Sequence, residues 1–262
     1  MKDFAIRTIS GIIGVIIVMF IVSKGGIMLD LSIFFVSLIG IYELNKAFGN
    51  IKDNKMVPNI WLGILFTCGL FISSINNNVL PFNLMINLMM LVLLIIIVLN
   101  KKISVYNVSI TLFSVMYVPF FMFHIVYLDK SIYIWLVFII AWGTDTFAYI
   151  FGNLMGKRKL CPELSPHKTL EGSIGGVLAS IFLVLAFSIY FNIAPLWKMI
   201  ILSVLGSVGA QFGDLAASRI KRTVNIKDYG YIIPGHGGVL DRFDSIIFVA
   251  PIVYYYVSYI LK

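Results

Sequence analysis

Nine apolar segments, each about as long as one membrane-spanning helix, follow one another along the 262-residue chain. A helix needs roughly 17–25 mostly apolar residues to cross a bilayer. The segments are residues 6–23, 27–47, 59–76, 83–100, 103–125, 132–152, 173–192, 196–219 and 243–261. A soluble domain has about 25% charged residues, whereas this chain has 12%, and 60% of its residues are hydrophobic. We therefore predict an all-α, polytopic integral membrane protein with about nine transmembrane helices, and we exclude a water-soluble domain or a disordered chain.

The Lys and Arg residues are distributed unevenly over the segments between the apolar stretches. Cytoplasmic loops of membrane proteins are enriched in these residues. With the N-terminus in the cytoplasm, all but four of the 20 Lys and Arg residues lie on the cytoplasmic side. The four exceptions are Lys24, Lys130, Lys198 and Lys262. We predict a cytoplasmic N-terminus, an external C-terminus and two long cytoplasmic loops, at about 153–172 and 220–242.

Charged residues are concentrated in two windows of the C-terminal half. Residues 145–171 and 214–244 hold half of the 32 charges in about a fifth of the chain. Solvated basic loops would explain the Lys and Arg residues there, but not the seven acidic residues beside them. We therefore predict that residues 1–131 form a scaffold of five spans. Residues 132–262 are expected to form four spans that carry the catalytic loops.

Several acidic residues lie inside apolar stretches, among them Asp145, Asp214 and Glu43. A carboxylate at membrane depth costs at least ~2.5 kcal/mol, so Asp145 and Asp214 are expected to face a cavity and to have a partner. The alternative is a hydrogen bond to Ser, Thr or Gln on a neighbouring helix. Glu43 is nearer a helix end, and we expect it to snorkel towards the surface or to pair with Lys46.

The densest chemical pattern is Asp241-Arg-Phe-Asp244, which follows the sequence Pro-Gly-His-Gly-Gly at 234–238. Carboxylates at positions i and i+3 share one face of a helix. Magnesium prefers carboxylate and phosphate oxygens, and glycine-rich backbone lets amide groups approach a phosphate closely. Upstream Lys and Arg residues supply cations for a polyphosphate. Together these features predict a metal-assisted phosphoryl or nucleotidyl transfer site.

Two stretches together resemble the signature of the phosphatidate cytidylyltransferases, the CDP-diacylglycerol synthases. The first comprises SRIKR at 218–222, KDYG at 227–230 and PGHGGVLDRFD at 234–244. The second begins with DTFAY at 145–149 and continues to SPHKTLEG at 165–172, which is similar to the family's S-P-x-K-T-x-E-G. The family often has Trp where this chain has Leu170. These motifs cover the C-terminal half, whereas the first five spans match only in hydrophobicity and placement.

The resemblance implies that CTP and phosphatidate react to give CDP-diacylglycerol and pyrophosphate, with magnesium (Mg2+) as cofactor. We expect the phosphate of phosphatidate to attack the α-phosphorus of CTP directly. Asp241 and Asp244 are expected to hold the metal. Asp214 is expected to be a further ligand or a partner of a ligand, and Asp145 to belong to a second acidic site.

Further residues are expected to bind phosphate groups or to shape the loops. Those expected to hold the triphosphate and the departing pyrophosphate are Lys221, Arg222 and Lys227. Those expected to contact phosphate elsewhere in the site are Lys168, His236, Gly237, Gly238 and Arg242. A turn-stabilising role for His236 is equally open. Residues expected to set loop geometry are Ser165, Thr169 and Glu171.

Other functions are compatible with parts of the pattern. A CTP-dependent transferase acting on another membrane lipid shares most of its features. An ion-coupled transporter would also carry acidic residues in its spans, but the chain has no internal repeat of the kind found in many transporters. The expected partners are CTP, phosphatidate and the lipid bilayer, with no nucleic acid, and a homodimer is left open. The expected location is the bacterial inner membrane, with the active site facing the cytoplasm.

Overall fold

The computed structural model describes residues 2–49, 58–75, 81–235 and 237–261, with the side chains of 2–7 and 82 left out. The α-helices found there are α1 (Lys2–Lys24), α2 (Gly26–Gly49), α3 (Ile60–Ile75), α4 (Phe82–Leu99), α5 (Val105–Val115), α6 (Ile134–Met155), α7 (Leu170–Phe191), α8 (Leu196–Thr223) and α9 (Leu240–Tyr256). Each predicted span overlaps one of these helices. Hydrophobic segment length therefore located the helices correctly.

Two of the helices continue in a different helical form. After α5 the chain passes through a π-helical turn at Met116–Phe120 and a 3-10 helix at Phe123–Leu128. Pro119 lies inside this π-helical turn, and a proline there removes one backbone donor from the regular α-helical pattern. After α9 a second π-helical turn covers Val257–Leu261. Both continuations lengthen the apolar segment to membrane-spanning size.

Within the described ranges, six helical segments are long and apolar enough to cross a membrane, judged by length and composition. They are Gly26–Gly49, Val105–Leu128, Ile134–Met155, Leu170–Phe191, Leu196–Thr223 and Leu240–Leu261. Three shorter apolar helices cover Thr8–Lys24, Ile60–Ile75 and Asn83–Leu99. The helical membrane-protein class is thus confirmed, whereas the count of nine spans stays a prediction.

A short β-hairpin interrupts the all-α pattern. Strand β1 (Lys159–Cys161) pairs antiparallel with β2 (Ser165–Thr169), and Lys159 lies opposite Thr169. The hairpin lies within the long loop predicted at 153–172, between α6 and α7. Thr169 is the N-cap of α7, and its hydroxyl accepts the Gly172 amide at 3.1 Å.

The chain forms two compact units. The first comprises Met1–Asp129 and Val224–Arg242, and the second comprises Lys130–Thr223 and Phe243–Lys262. Residues 224–242, which the sequence analysis assigns to the C-terminal part, thus belong with the N-terminal helices. The scaffold and catalytic roles of the two parts stay predictions.

The second unit is built from closely packed helices joined by hydroxyl groups. On α7, a Cβ at Gly172 would lie 2.6 Å from the Ala148 carbonyl of α6, so only glycine allows this approach. The Thr144 hydroxyl of α6 donates to Ser207 of α8 at 2.9 Å in a buried position. Small residues and hydroxyl contacts are the usual means by which membrane helices associate. These contacts hold α6, α7 and α8 together around a cleft.

Candidate active site

A cleft of about 390 Å³ opens in the second unit, beside α6, the β-hairpin and α8. Its polar lining residues are Asp145, Asn153, His167, Lys168, Thr169, Ser173, Gln211 and Asp214. Ala148, Tyr149 and Leu160 add apolar surface to the same cleft. The lining therefore offers contacts both to a charged group and to an apolar one.

Lys168 and Asp214 form an ion pair in this cleft. Lys168 comes from β2 and Asp214 from α8, and their side chains are 27% and 29% exposed. Ser218, one turn further along α8, donates a hydrogen bond to Asp214 at 3.4 Å. The prediction that Asp214 faces a cavity and has a partner is thus confirmed. The pair also orients the Lys168 ammonium group inside the cleft.

Asp145 and Asp244 are linked through Ser245. The Ser245 hydroxyl donates to Asp145 Oδ2 at 2.8 Å, and the Ser245 amide donates to Asp244 Oδ1 at 2.8 Å. Asp145 thus lines the cleft, as expected, and also has the serine partner of the alternative interpretation. Asp244 is buried, and the charges that act on it most strongly are those of Asp214, Asp145 and Lys221. Two carboxylates and one cation are therefore close enough to act on Asp244.

This donor set is compatible with magnesium. Among the described residues, no three or more His, Cys, Asp or Glu side chains are grouped closely enough to hold a metal by themselves. Magnesium does not need such a cage, because it usually binds one or two carboxylates together with water and substrate phosphate oxygens. Asp244 and its carboxylate neighbours supply oxygen donors of that kind.

In the first unit, Asp241 shapes the glycine-rich loop that precedes α9. Its Oδ2 accepts the amides of Tyr229 at 2.8 Å and of Gly238 at 3.0 Å. Gly237 has a φ of +86°, and a Cβ there would lie 2.9 Å from Asp241 Oδ2. The Gly238 amide therefore has an acceptor within the protein. The roles of Asp241 in metal binding and of Gly237 and Gly238 in phosphate binding stay predictions.

Glu43 contacts the same loop from α2, which the sequence analysis did not predict. Its Oε1 accepts the Val239 amide at 3.0 Å, and its Oε2 accepts the Leu240 amide at 2.8 Å. The expectation that Glu43 snorkels or pairs with Lys46 was wrong. The side chain is 2% exposed, because the free amides at the start of α9 satisfy its carboxylate.

The predicted cations are divided between the two units. Lys221 and Arg222 lie in the last turn of α8, in the second unit, whereas Lys227 and Arg242 lie in the first. Arg222, Lys227 and Arg242 are exposed and Lys221 is partly exposed. His236 lies outside the described residues. The contacts of these residues with phosphate stay predictions.

Ser173 and Gln211 line the cleft but were not predicted as site residues. Glu171 and Thr169 have structural contacts. Ser173 donates a hydrogen bond to Gln211 in the cleft. Gln211 lies three residues before Asp214 on α8, so a shared helix face was the signal that could have identified it. Glu171 accepts the amides of Lys157 at 3.0 Å and Arg158 at 3.2 Å. The prediction that Glu171 and Thr169 set loop geometry is confirmed.

Similarity to known proteins extends over nearly the whole chain. The model of the cytidylyltransferase family matches residues 5–260. A phosphatidate cytidylyltransferase from Staphylococcus epidermidis is 37% identical over 257 residues, which cover 95% of this chain and 96% of the relative. Proteins of the same name from Staphylococcus haemolyticus and Staphylococcus aureus are 38% identical over 254 residues and 37% identical over 258 residues, with the same coverage.

Proposed function

Because the chain belongs to the cytidylyltransferase family, we propose that it transfers the cytidylyl group of CTP to phosphatidate. The products are CDP-diacylglycerol and pyrophosphate. The name and near-complete coverage of the relatives support this choice of substrates. The enzyme serves phospholipid biosynthesis.

The observation that carries the proposal is the position of the charged cleft on membrane-length helices. Asp145 lies on α6 and Asp214 on α8, and both helices are apolar enough to span a bilayer. The reaction joins a lipid that stays in the membrane to a water-soluble polyanion. A cleft with an ion pair, further polar groups and an apolar wall suits both substrates.

Positioning and charge neutralisation supply most of the catalysis in this proposal. The phosphate of phosphatidate is already anionic, so its oxygen attacks the α-phosphorus of CTP without a strong general base, and pyrophosphate leaves in line. Phosphoryl transfers of this kind depend mainly on orientation and electrostatic stabilisation. The Lys168 ammonium group, oriented by Asp214, binds a phosphate oxygen. Lys221, Arg222 and Lys227 neutralise the triphosphate.

Acidic residues provide the proposed metal ligands. Bound magnesium would neutralise negative charge on the phosphate groups. Asp244 is the principal ligand in this proposal, because it is buried and has carboxylate neighbours. Asp241 and Asp214 are the further proposed ligands or partners of a ligand.

The proposed topology has nine spans, with the N-terminus inside and the C-terminus outside. The charge distribution along the sequence supports it, since Lys and Arg residues favour cytoplasmic loops. The loops at 153–172 and 220–242 then face the cytoplasm, where CTP is available. The charge distribution and the bacterial origin of the relatives support a location in the bacterial inner (plasma) membrane.

An assay with the purified, detergent-solubilised full chain tests whether CTP and phosphatidate are the substrates. Pyrophosphate release is measured with CTP and phosphatidate, and then with either one omitted, with diacylglycerol replacing phosphatidate, or with ATP replacing CTP. We expect release only when CTP and phosphatidate are both present. Equal release with diacylglycerol would assign the enzyme to another membrane lipid, and release without any lipid would overturn the proposal.

A further inference from the structure

Glu43 on α2 joins the N-terminal helices to the glycine-rich loop before α9 and to the first residue of α9. The two residues whose amides it accepts, Val239 and Leu240, lie 196 and 197 positions further along the chain. Leu240 is the first residue of α9. The carboxylate therefore occupies the place that an N-capping side chain normally occupies, although it comes from a distant helix.

The loop backbone is fitted closely around this carboxylate. A Cβ at Gly238 would lie 2.5 Å from Glu43 Oε1 and 2.6 Å from Oε2, and a Cβ at Gly230 would meet the same group. Only residues without a side chain allow the backbone to approach so closely. The two glycines and the carboxylate therefore fit together as one arrangement.

Two acidic residues hold neighbouring amides of the loop. Asp241 accepts the amides of Tyr229 and Gly238, and Glu43 accepts the next two, those of Val239 and Leu240. A buried carboxylate needs such donors, and a buried amide without an acceptor is destabilising. The orientation of Asp241 and of the start of α9 thus depends on Glu43.

We propose that Glu43 is a positioning residue for nucleotide transfer. It holds residues 227–235 and 237–242 in the conformation that presents Lys227, Asp241 and the loop glycines. Glu43 is buried and both its carboxylate oxygens accept backbone amides, so it acts through the loop. The expected effect on kcat/KM rests on the proposed function. The contact between Glu43 and the loop does not, because hydrogen–deuterium exchange tests it without a reaction.

The test compares Glu43→Gln with a matched control, Asp129→Asn. Glutamine has the size of glutamate, but its NH2 group faces an amide that needs an acceptor. Asp129 also places a carboxylate at a helix start in the first unit, where its Oδ2 accepts the Gly26 amide of α2 at 2.9 Å. Both changes thus remove a charge from the same kind of contact, but only one affects the loop.

Hydrogen–deuterium exchange and kinetics provide independent measurements. We expect Glu43→Gln to accelerate exchange in peptides covering 228–242 and to lower kcat/KM for CTP by about 10- to 100-fold, the loss expected from misplaced reacting groups. We expect Asp129→Asn to leave both unchanged per folded molecule. Unchanged exchange and kinetics in Glu43→Gln would overturn the inference.

A further variant separates positioning from folding. Glu43→Asp keeps the charge but withdraws it by one methylene, and we expect kcat/KM between those of Glu43→Gln and the unchanged protein. If both variants reduced only the yield of folded protein, with normal kcat/KM per folded molecule, the positioning role would be refuted. If the unchanged protein formed no CDP-diacylglycerol, the proposed function would fail, while the exchange measurement would still test the Glu43 contact.

Discussion

Lys168 on strand β2 forms an ion pair with Asp214 on helix α8, inside a cleft whose other wall is partly apolar. The pair stabilises a carboxylate within a long apolar helix and holds an ammonium group inside the cleft. Both partners remain partly exposed. The lysine can therefore contact a ligand while it stays bound to Asp214.

Replacing Lys168 should impair catalysis more than it impairs folding. Loss of one oriented donor to a charged transition state costs about 100- to 1000-fold in rate, and we expect Lys168→Ala to lower kcat/KM by that order. Steady-state kinetics with both substrates provide the measurement. The matched control is Lys159→Ala, because Lys159 is exposed on the paired strand β1 and does not line the cleft. Equal losses in the two variants would contradict a specific role for Lys168.

Asp244→Asn should abolish turnover and leave the protein folded. The change keeps the side-chain volume but removes the charge of the principal proposed metal ligand. Pyrophosphate release is measured over a range of magnesium concentrations, with thermal unfolding as the check on folding. Glu163→Gln, which alters an exposed acidic residue outside the cleft, should behave like the unchanged protein. Retained activity in Asp244→Asn would remove this residue from the metal site.

The close contact of α8 with the start of α9 should make Gly213 intolerant of a side chain. A Cβ at Gly213 would lie 2.5 Å from the Asp244 carbonyl oxygen. We expect Gly213→Ala to destabilise the protein by about 1–3 kcal/mol, as overpacking does elsewhere. The midpoint of thermal unfolding in detergent provides the measurement. Gly14→Ala on α1 is the control, because nothing lies within 4 Å of the added Cβ. A similar midpoint for both variants would contradict the packing argument.

Glu43 and Gly238 should show coupled mutational effects. Gly238→Ala introduces a Cβ that collides with the Glu43 carboxylate, and Glu43→Ala removes that carboxylate. Gly238→Ala should therefore cost less stability in the Glu43→Ala background than alone, with a coupling of about 0.5–3 kcal/mol. Unfolding of the two single variants and the double variant gives this quantity. Additive effects would show that the two groups do not touch.

Hydrophobic segment length was enough to locate the helices, because a membrane-spanning helix must be long and apolar wherever it packs. Asp145 and Asp214 were predictable for a related reason, since a carboxylate inside an apolar helix requires a partner. The resemblance of the C-terminal motifs to a known family is confirmed by similarity over nearly the whole chain.

Other features depend on contacts that the local sequence does not encode. The β-hairpin has strands of three and five residues, too short to produce a clear alternating pattern. The amide partners of Glu43 are almost 200 residues away, so local spacing suggested Lys46 instead. The place of Gln211 in the cleft was not predicted, because a helix face shared with Asp214 is the sole feature of the sequence that indicates it.

The most direct test follows the α-phosphate of CTP. The purified protein is incubated with phosphatidate and magnesium, using CTP labelled with 32P at the α-position or, in parallel, at the γ-position. We predict that the α-label moves into a chloroform-soluble lipid that co-migrates with CDP-diacylglycerol, while the γ-label appears in water-soluble pyrophosphate. An α-label that stays in water, or a γ-label that enters the lipid, would contradict cytidylyl transfer.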